Sequence, residues 1–244
     1  MSDARSYKNS PSFTQHLGRN RQYLRDIILG VNDGLVSMFL LVAGVVGGGM
    51  VTRNVLLTGV AGAIAGAVSM AAGEYIATKT QEEVFEGELA LEKEHIRDFR
   101  QDELHELSDL LDNIGLDGPL RDEVVVHFGE DDDALLKVMT ALEFGVVETE
   151  RRSPSRAMFM SGGLFLLGAL PSVLPFAFVS SASTGLWIAT IGAVLGLLVV
   201  GAVKTWATRG DPLRAALENL LVATGGGGLA YGVGVLFDRL VNGG

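Results

Sequence analysis

Residues 25–49 read RDIILGVNDGLVSMFLLVAGVVGGG, an apolar run that keeps a carboxylate, Asp33, about two turns past its basic flank. At about 1.5 Å per residue, roughly 20 apolar residues cross ~30 Å of hydrocarbon as a helix, and this run is long enough. A carboxylate at mid-membrane costs roughly 2.5–3.5 kcal/mol even on the mild insertion scale. It belongs in a bundle interior or a water-filled cavity on an ion or proton path, or else it caps backbone in a glycine-interrupted helix. The residues leave both readings open. Working outward, comparable runs fall at about 27–50, 54–78, 157–180, 184–207 and 213–237. The expected fold is an all-α membrane protein with five transmembrane helices and a helical insert between spans 2 and 3.

The charges support that division. The chain has 244 residues, 48% of them hydrophobic, yet 20% are charged. Residues 79–152 hold 22 acids and 8 bases, and everything else holds 7 acids and 11 bases, so the net charge of −10 belongs to the insert. A membrane protein with one acidic insert gives nucleic acid nothing to bind, and no such partner is expected. The absence of cysteine excludes disulfides, thiolate metal sites and cysteine nucleophiles. None of the four histidines lies in a span, which removes the base a membrane peptidase would need. The first 25 residues are polar and basic without an apolar signal core, and read as a flexible cytoplasmic arm. Arg5, Lys8, Arg19, Arg21 and Arg25 precede the first span, and Lys204, Arg209 and Arg214 flank the fourth-to-fifth connection. By the positive-inside rule both regions face the cytoplasm, as does the insert, and the C-terminus lies on the outer or lumenal side of an integral, multi-pass protein in lipid. The domains expected are an arm at 1–26, transmembrane helices 1–2 at 27–78, the acidic domain at 79–152 and transmembrane helices 3–5 at 153–244.

Small residues four apart, such as Gly62 with Gly66 and Gly192 with Gly196, suit close helix packing in lipid. Pro171 and Pro175 predict a kink in the third span. The insert reads as four helices: Thr80–Phe99 continuing the second span, Asp102–Ile114, one from Pro119 to Gly129, and one started by Asp131–Asp133.

At 100° per residue, Phe85, Leu89, Ile96 and Phe99 share a face into which Glu92 points, with Glu88 and His95 on its edge. Leu104, Leu107, Leu110, Leu111 and Ile114 form a second stripe with Glu103 inside it and Glu106 at its margin. Leu135, Leu142 and Val146 form a third that also carries Met139 and Glu143. Either these acids reach solvent at helix edges, or they are buried and need compensation. No matching set of buried Lys or Arg is available. A divalent cation compensates them together, and carboxylates with an imidazole and a thioether suit Fe2+, with Mn2+, Co2+ and Zn2+ close behind. Glu92-x-x-His95 also has the Glu-x-x-His spacing of metal-binding helical bundles. His127 reads as a packed or surface histidine. In the membrane, Glu74 and Met70 share one face of the second span, so a thioether and two carboxylates, with Asp33, lie at similar depth.

LGVNDGLVS at 29–37 and SMAAGEYIATKTQ at 69–81 resemble the signatures of the vacuolar iron transporter family, and the likeness covers nearly the whole chain. The resemblance implies a homodimer of five-span subunits that moves Fe2+, and sometimes Mn2+, out of the cytosol in exchange for protons, with the ion path at the dimer interface. It is no enzyme. It assigns Asp33 and Met70 to that path with Glu74 beside them, and metal binding in the insert to Glu92, Glu103, Glu106, Met139 and Glu143. Two positions depart from the family pattern: His95 stands where a glutamate is usual and Thr140 where a second methionine is common. Imidazole ligation would weaken as pH falls through the histidine range. The alternative to transport is a membrane-anchored metal buffer or ferroxidase.

Overall fold

A computed structural model describes residues 20–145, 152–208 and 212–242, and every element among them is a helix. In chain order these are α1 (Asn20–Gly47), α2 (Thr52–Asp98), α3 (Arg100–Asn113), α4 (Gly118–Gly129), α5 (Asp132–Glu143), α6 (Pro154–Val173) with a 3-10 helix at Leu174–Ala177, α7 (Ala182–Thr208) and α8 (Pro212–Asn242). Among the described residues four helices are long and apolar enough to cross a membrane: Leu24–Gly47, Thr52–Asp98, Pro154–Ala177 and Ala182–Thr205. α8 covers the remaining apolar run. Arg5, Lys8, Arg19, Val146 and Arg209 lie outside the described residues. α1 begins at Asn20, so the last residues of the polar arm are already helical. The chain divides into two compact units, Tyr75–Pro154 and the residues on either side of it, and α2 contributes to both.

In the first unit α1 is the shared element. Met38 packs with Ala63 and Ala67 of α2 and with Phe165, Ala169 and Val173 of α6. Leu35 and Phe39 pack with Ala193 and Leu197 of α7 and Ala223 of α8. Lipid gives helices no hydrophobic reason to associate, so van der Waals contact at close range has to hold them. Glycine supplies that range. A Cβ built on Gly34 would overlap the Phe165 carbonyl, one on Gly168 the Val31 carbonyl, and one on Gly234 the Gly44 carbonyl. α1 closes on Gly49 (φ +76°), with Met50 N donating to Val45 O at 3.1 Å and Gly49 N to Val46 O at 3.0 Å. This is the left-handed stop that turns the chain straight into α2. Pro171 sits two residues before the end of α6, where the α-helix gives way to the 3-10 turn that contains Pro175. Pro171 removes one N–H donor from the last turn of α6, where the α-helix stops, and Pro175 stands in the first turn of the 3-10 helix, where an N–H would have no intrahelical partner.

The second unit has its own core of Ile96, Leu107, Leu111, Leu135 and Met139. Asp131 caps α5, its side chain accepting from the backbone N–H of Asp133 and Ala134, worth about 1 kcal/mol. Arg100 at the start of α3 donates to Gly129 O and Asp132 Oδ1, both at 2.5 Å, and Arg121 of α4 donates to Asp112 Oδ2 at 2.8 Å. Phe99 and Ile114, read as stripe residues, are 56% and 65% exposed. Each lies just past a helix end, where the helical periodicity that placed it no longer applies.

Gly168→Ala is expected to lower the melting point of the detergent-solubilised protein, at a cost of about 1–3 kcal/mol for overpacking. Gly163→Ala, five residues earlier on the same helix with nothing within 4 Å of its Cβ, is expected to leave it unchanged or raise it slightly. Scanning calorimetry on the pair checks this.

Candidate metal centre

Glu92 and Ile96 are one turn apart on α2, and Glu103 and Leu107 one turn apart on α3. The faces that bury Ile96 and Leu107 therefore carry both carboxylates inward, to 5% and 3% exposure. His95 joins them: one donor atom from each of Glu92, His95 and Glu103 lies within 4.8 Å of the other two. His95 Nδ1 is 3.2 Å from Glu103 Oε1, and the ring meets Phe99 edge-on at 6.1 Å. Glu92 Oε1 and Glu103 Oε2 are buried without a hydrogen-bond partner. Each such oxygen costs about 1–3 kcal/mol, more if charged. Metal–ligand bonds of about 2.0–2.2 Å leave donors roughly 3–4 Å apart. Two carboxylates and an imidazole at this spacing suit a borderline divalent cation.

The other residues named from the sequence take different positions. Met139 is fully buried in the apolar cluster that also holds Ile96 and Leu107. Glu106 and Glu143 are exposed and outside the close trio. Glu88 lines a separate hollow of about 310 Å³ with Phe85 and Phe144. Thr140 is buried and donates to Leu136 O at 2.6 Å. His127 is on the surface.

In the membrane unit, Asp33 and Met70 line one cavity of about 520 Å³, together with Ser37, Met38 and Leu41 of α1, Gly62, Gly66 and Ser69 of α2, and Phe165 of α6. Glu74, one turn beyond Met70, is half-buried and not part of that wall. Ser37 Oγ donates to Asp33 O at 2.5 Å. Sequence reasoning missed Ser37, Ser69 and Phe165 as lining residues. It also missed Asp26, 5% exposed and two turns before Asp33. Asp26 is not part of that wall, and assigning 1–26 to a polar arm hid its burial.

The family model described as the VIT family matches residues 24–235. The chain belongs to the VIT family. Vacuolar iron transporter 2 of Oryza sativa subsp. japonica is 31% identical over 215 residues, covering 87% of this chain and 86% of that protein. Vacuolar iron transporter 1 of Eucalyptus grandis is 29% identical over 212 residues, 87% and 85% of the two chains. Protein CCC1 of Saccharomyces cerevisiae is 30% identical over 229 residues, 89% and 69%.

In this VIT-family chain the acidic trio is electrostatically loaded. Burial, and then the charges of Glu103, Glu143 and Glu106, push the Glu92 carboxyl up to about 7. Glu143, exposed as a residue, is also raised: first by partial loss of water around its carboxyl, then by Glu106, Glu103 and Glu88, with His95 opposing. Both raised groups stay protonated in the folded protein over a range where the unfolded chain has lost the proton. The contribution of Glu92 to stability is therefore complete below about 4.5 and lost as pH rises towards about 7, and Glu143 acts in the same direction. Metal-free protein is expected to show faster hydrogen exchange in α3 at pH 7.5 than at pH 5, after correction for the intrinsic rate. Glu92→Gln should flatten the difference, and a divalent cation should restore protection at pH 7.5.

Proposed function

We propose that the chain is a proton-coupled exporter of Fe2+ from the cytosol, working as a homodimer in a membrane. The observation that carries the reading is that a carboxylate and a thioether, Asp33 and Met70, share one cavity between membrane helices in a chain of the VIT family. The relatives are named vacuolar iron transporters, which favours iron as cargo. Mn2+, Co2+ and Zn2+ are the next candidates by donor chemistry. The protein is a transporter, not an enzyme.

In this proposal α8 is the fifth span, the polar arm (1–26) and the acidic domain (79–152) face the cytosol, and the C-terminus lies outside or in a lumen. Spans 27–78 and 153–244 carry the path. Glu92, His95 and Glu103 collect the ion, with Glu106 and Glu143 adding negative potential and Met139 held in reserve as a soft donor beneath. The ion then passes to Asp33, Met70 and Glu74. Protonation of Asp33 from the outer side removes the charge that holds the cation, which couples release to proton entry.

Fe2+ uptake into proteoliposomes is expected to depend on a pH gradient, and uptake unchanged by its collapse would rule out exchange. Asp33→Asn should lower flux by about 10- to 100-fold or more. Glu103→Ala should lower metal loading, measured by calorimetry, more than it lowers the metal-free melting point.

A further inference from the structure

Phe165 touches both helices that carry the membrane donors. Its backbone lies on α1 at the residue after Asp33, since a Cβ on Gly34 would fall on the Phe165 carbonyl. Its ring lies on α2 one turn before Met70, since a Cβ on Gly66 would fall on ring carbons, Cε1 at 2.6 Å among them. These two contacts are at the same depth. α1 and α2 are joined by a short turn, and Asp33 and Gly66 are each 14 residues from it, counted from Gly47 and Thr52. Phe165 is 4% exposed, Met70 packs against its cluster, and it forms part of the wall of the cavity that Asp33 and Met70 share.

Glycine on both sides leaves no side chain between Phe165 and either helix. In lipid, helices approach until atoms touch; Met38 and Leu41 of α1 already meet α2 directly at Gly62, and the thickness of Phe165 sets how far the two helices diverge from there at the level of Asp33. Gly66 also carries the ring only because it lacks a Cβ. A methyl group there and the ring compete for one space.

We propose that Phe165 is a positioning residue for transport, a spacer between α1 and α2 that fixes the separation of the Asp33 carboxylate and the Met70 thioether and so the ion they hold together. This rests on the reading of Asp33 and Met70 as the transport path. It makes Phe165 and Gly66 a matched pair: a smaller residue at 165 loosens the grip, a larger one at 66 wedges the helices apart, and the two changes together offset each other.

The test uses the full-length protein in liposomes, with Fe2+ uptake measured over a range of concentrations, Mg2+ as competitor, and the melting point in detergent measured alongside. Phe165→Leu is expected to raise the half-saturating Fe2+ concentration about threefold and Phe165→Ala about tenfold, equivalent to ~1.4 kcal/mol, with the preference for Fe2+ over Mg2+ narrowing by similar factors. Gly66→Ala should also raise half-saturation, and Gly66→Ala with Phe165→Ala should recover a large part of either loss. A Phe165 that only holds the fold together would lower maximal uptake and melting point while half-saturation and ion preference stayed at parent values, and that result overturns the proposal. If Phe165→Ala does not fold, Phe165→Leu decides by the same two readouts. Asp33→Asn separates the layers. Parent-like transport by that variant defeats the path reading itself. A silent Asp33→Asn, beside Phe165 variants of unchanged half-saturation and preference, defeats the spacer alone.

Discussion

Glu92 and Glu103 are held out of water on adjoining helices, and the neighbouring charges that act on Glu92 are negative: Glu103, Glu143 and Glu106. Burying one ionised carboxylate without a partner costs several kcal/mol, and a second beside it adds repulsion. Something positive has to settle there, whether protons shared among the carboxyls or a cation drawn from solution. The apolar floor of Ile96, Leu107 and Met139 sharpens that requirement by keeping water away from below. Folding of this unit and loading of its acids are thus one equilibrium seen from two sides.

The membrane unit meets a different constraint. Its helices gain little by hiding apolar surface from lipid, so their positions are set by contact, and contact is closest where glycine faces a backbone. α1 bears the largest share, with α6 seated at Gly34 and α8 at Gly44. The same helix carries Asp33, so the element that organises the bundle also carries the carboxylate of the cavity wall, which stands exposed. Helices that cannot drift are what a site for a small ion requires, because a donor displaced by an ångström no longer reaches it.

Much of this was legible in the sequence. Apolar runs of membrane length and a segregated block of acids gave the helical class and the separate acidic unit, because length and charge segregation depend on the chain alone. Glu92, His95 and Glu103 were readable because a carboxylate on an apolar stripe conflicts with the stripe. Glu106 and Glu143 sat on the same stripes by angle, but short helices bury only a narrow strip, and both remain in water. Asp26 escaped notice because a carboxylate beside arginines looks like surface until the packing around it is known. Phe165 was beyond reach for another reason. One aromatic residue among many in an apolar span carries no signal, and only the pairing with Gly34 and Gly66 from two other helices singles it out.

α4 is the exception within the acidic unit. It has no fully buried residue, and it leans on its neighbours through the half-buried Val124, Val125 and Phe128 and through ion pairs open to solvent. Such pairs add at most about 1 kcal/mol. The free energy of opening is therefore unevenly spread, and the least costly excursion from the native state is one in which α4 lifts away while α2, α3 and α5 keep their packing. Breathing of that kind would bring solvent to the back of the unit without first dismantling the paired carboxylates, so the domain has a soft panel and a hard frame.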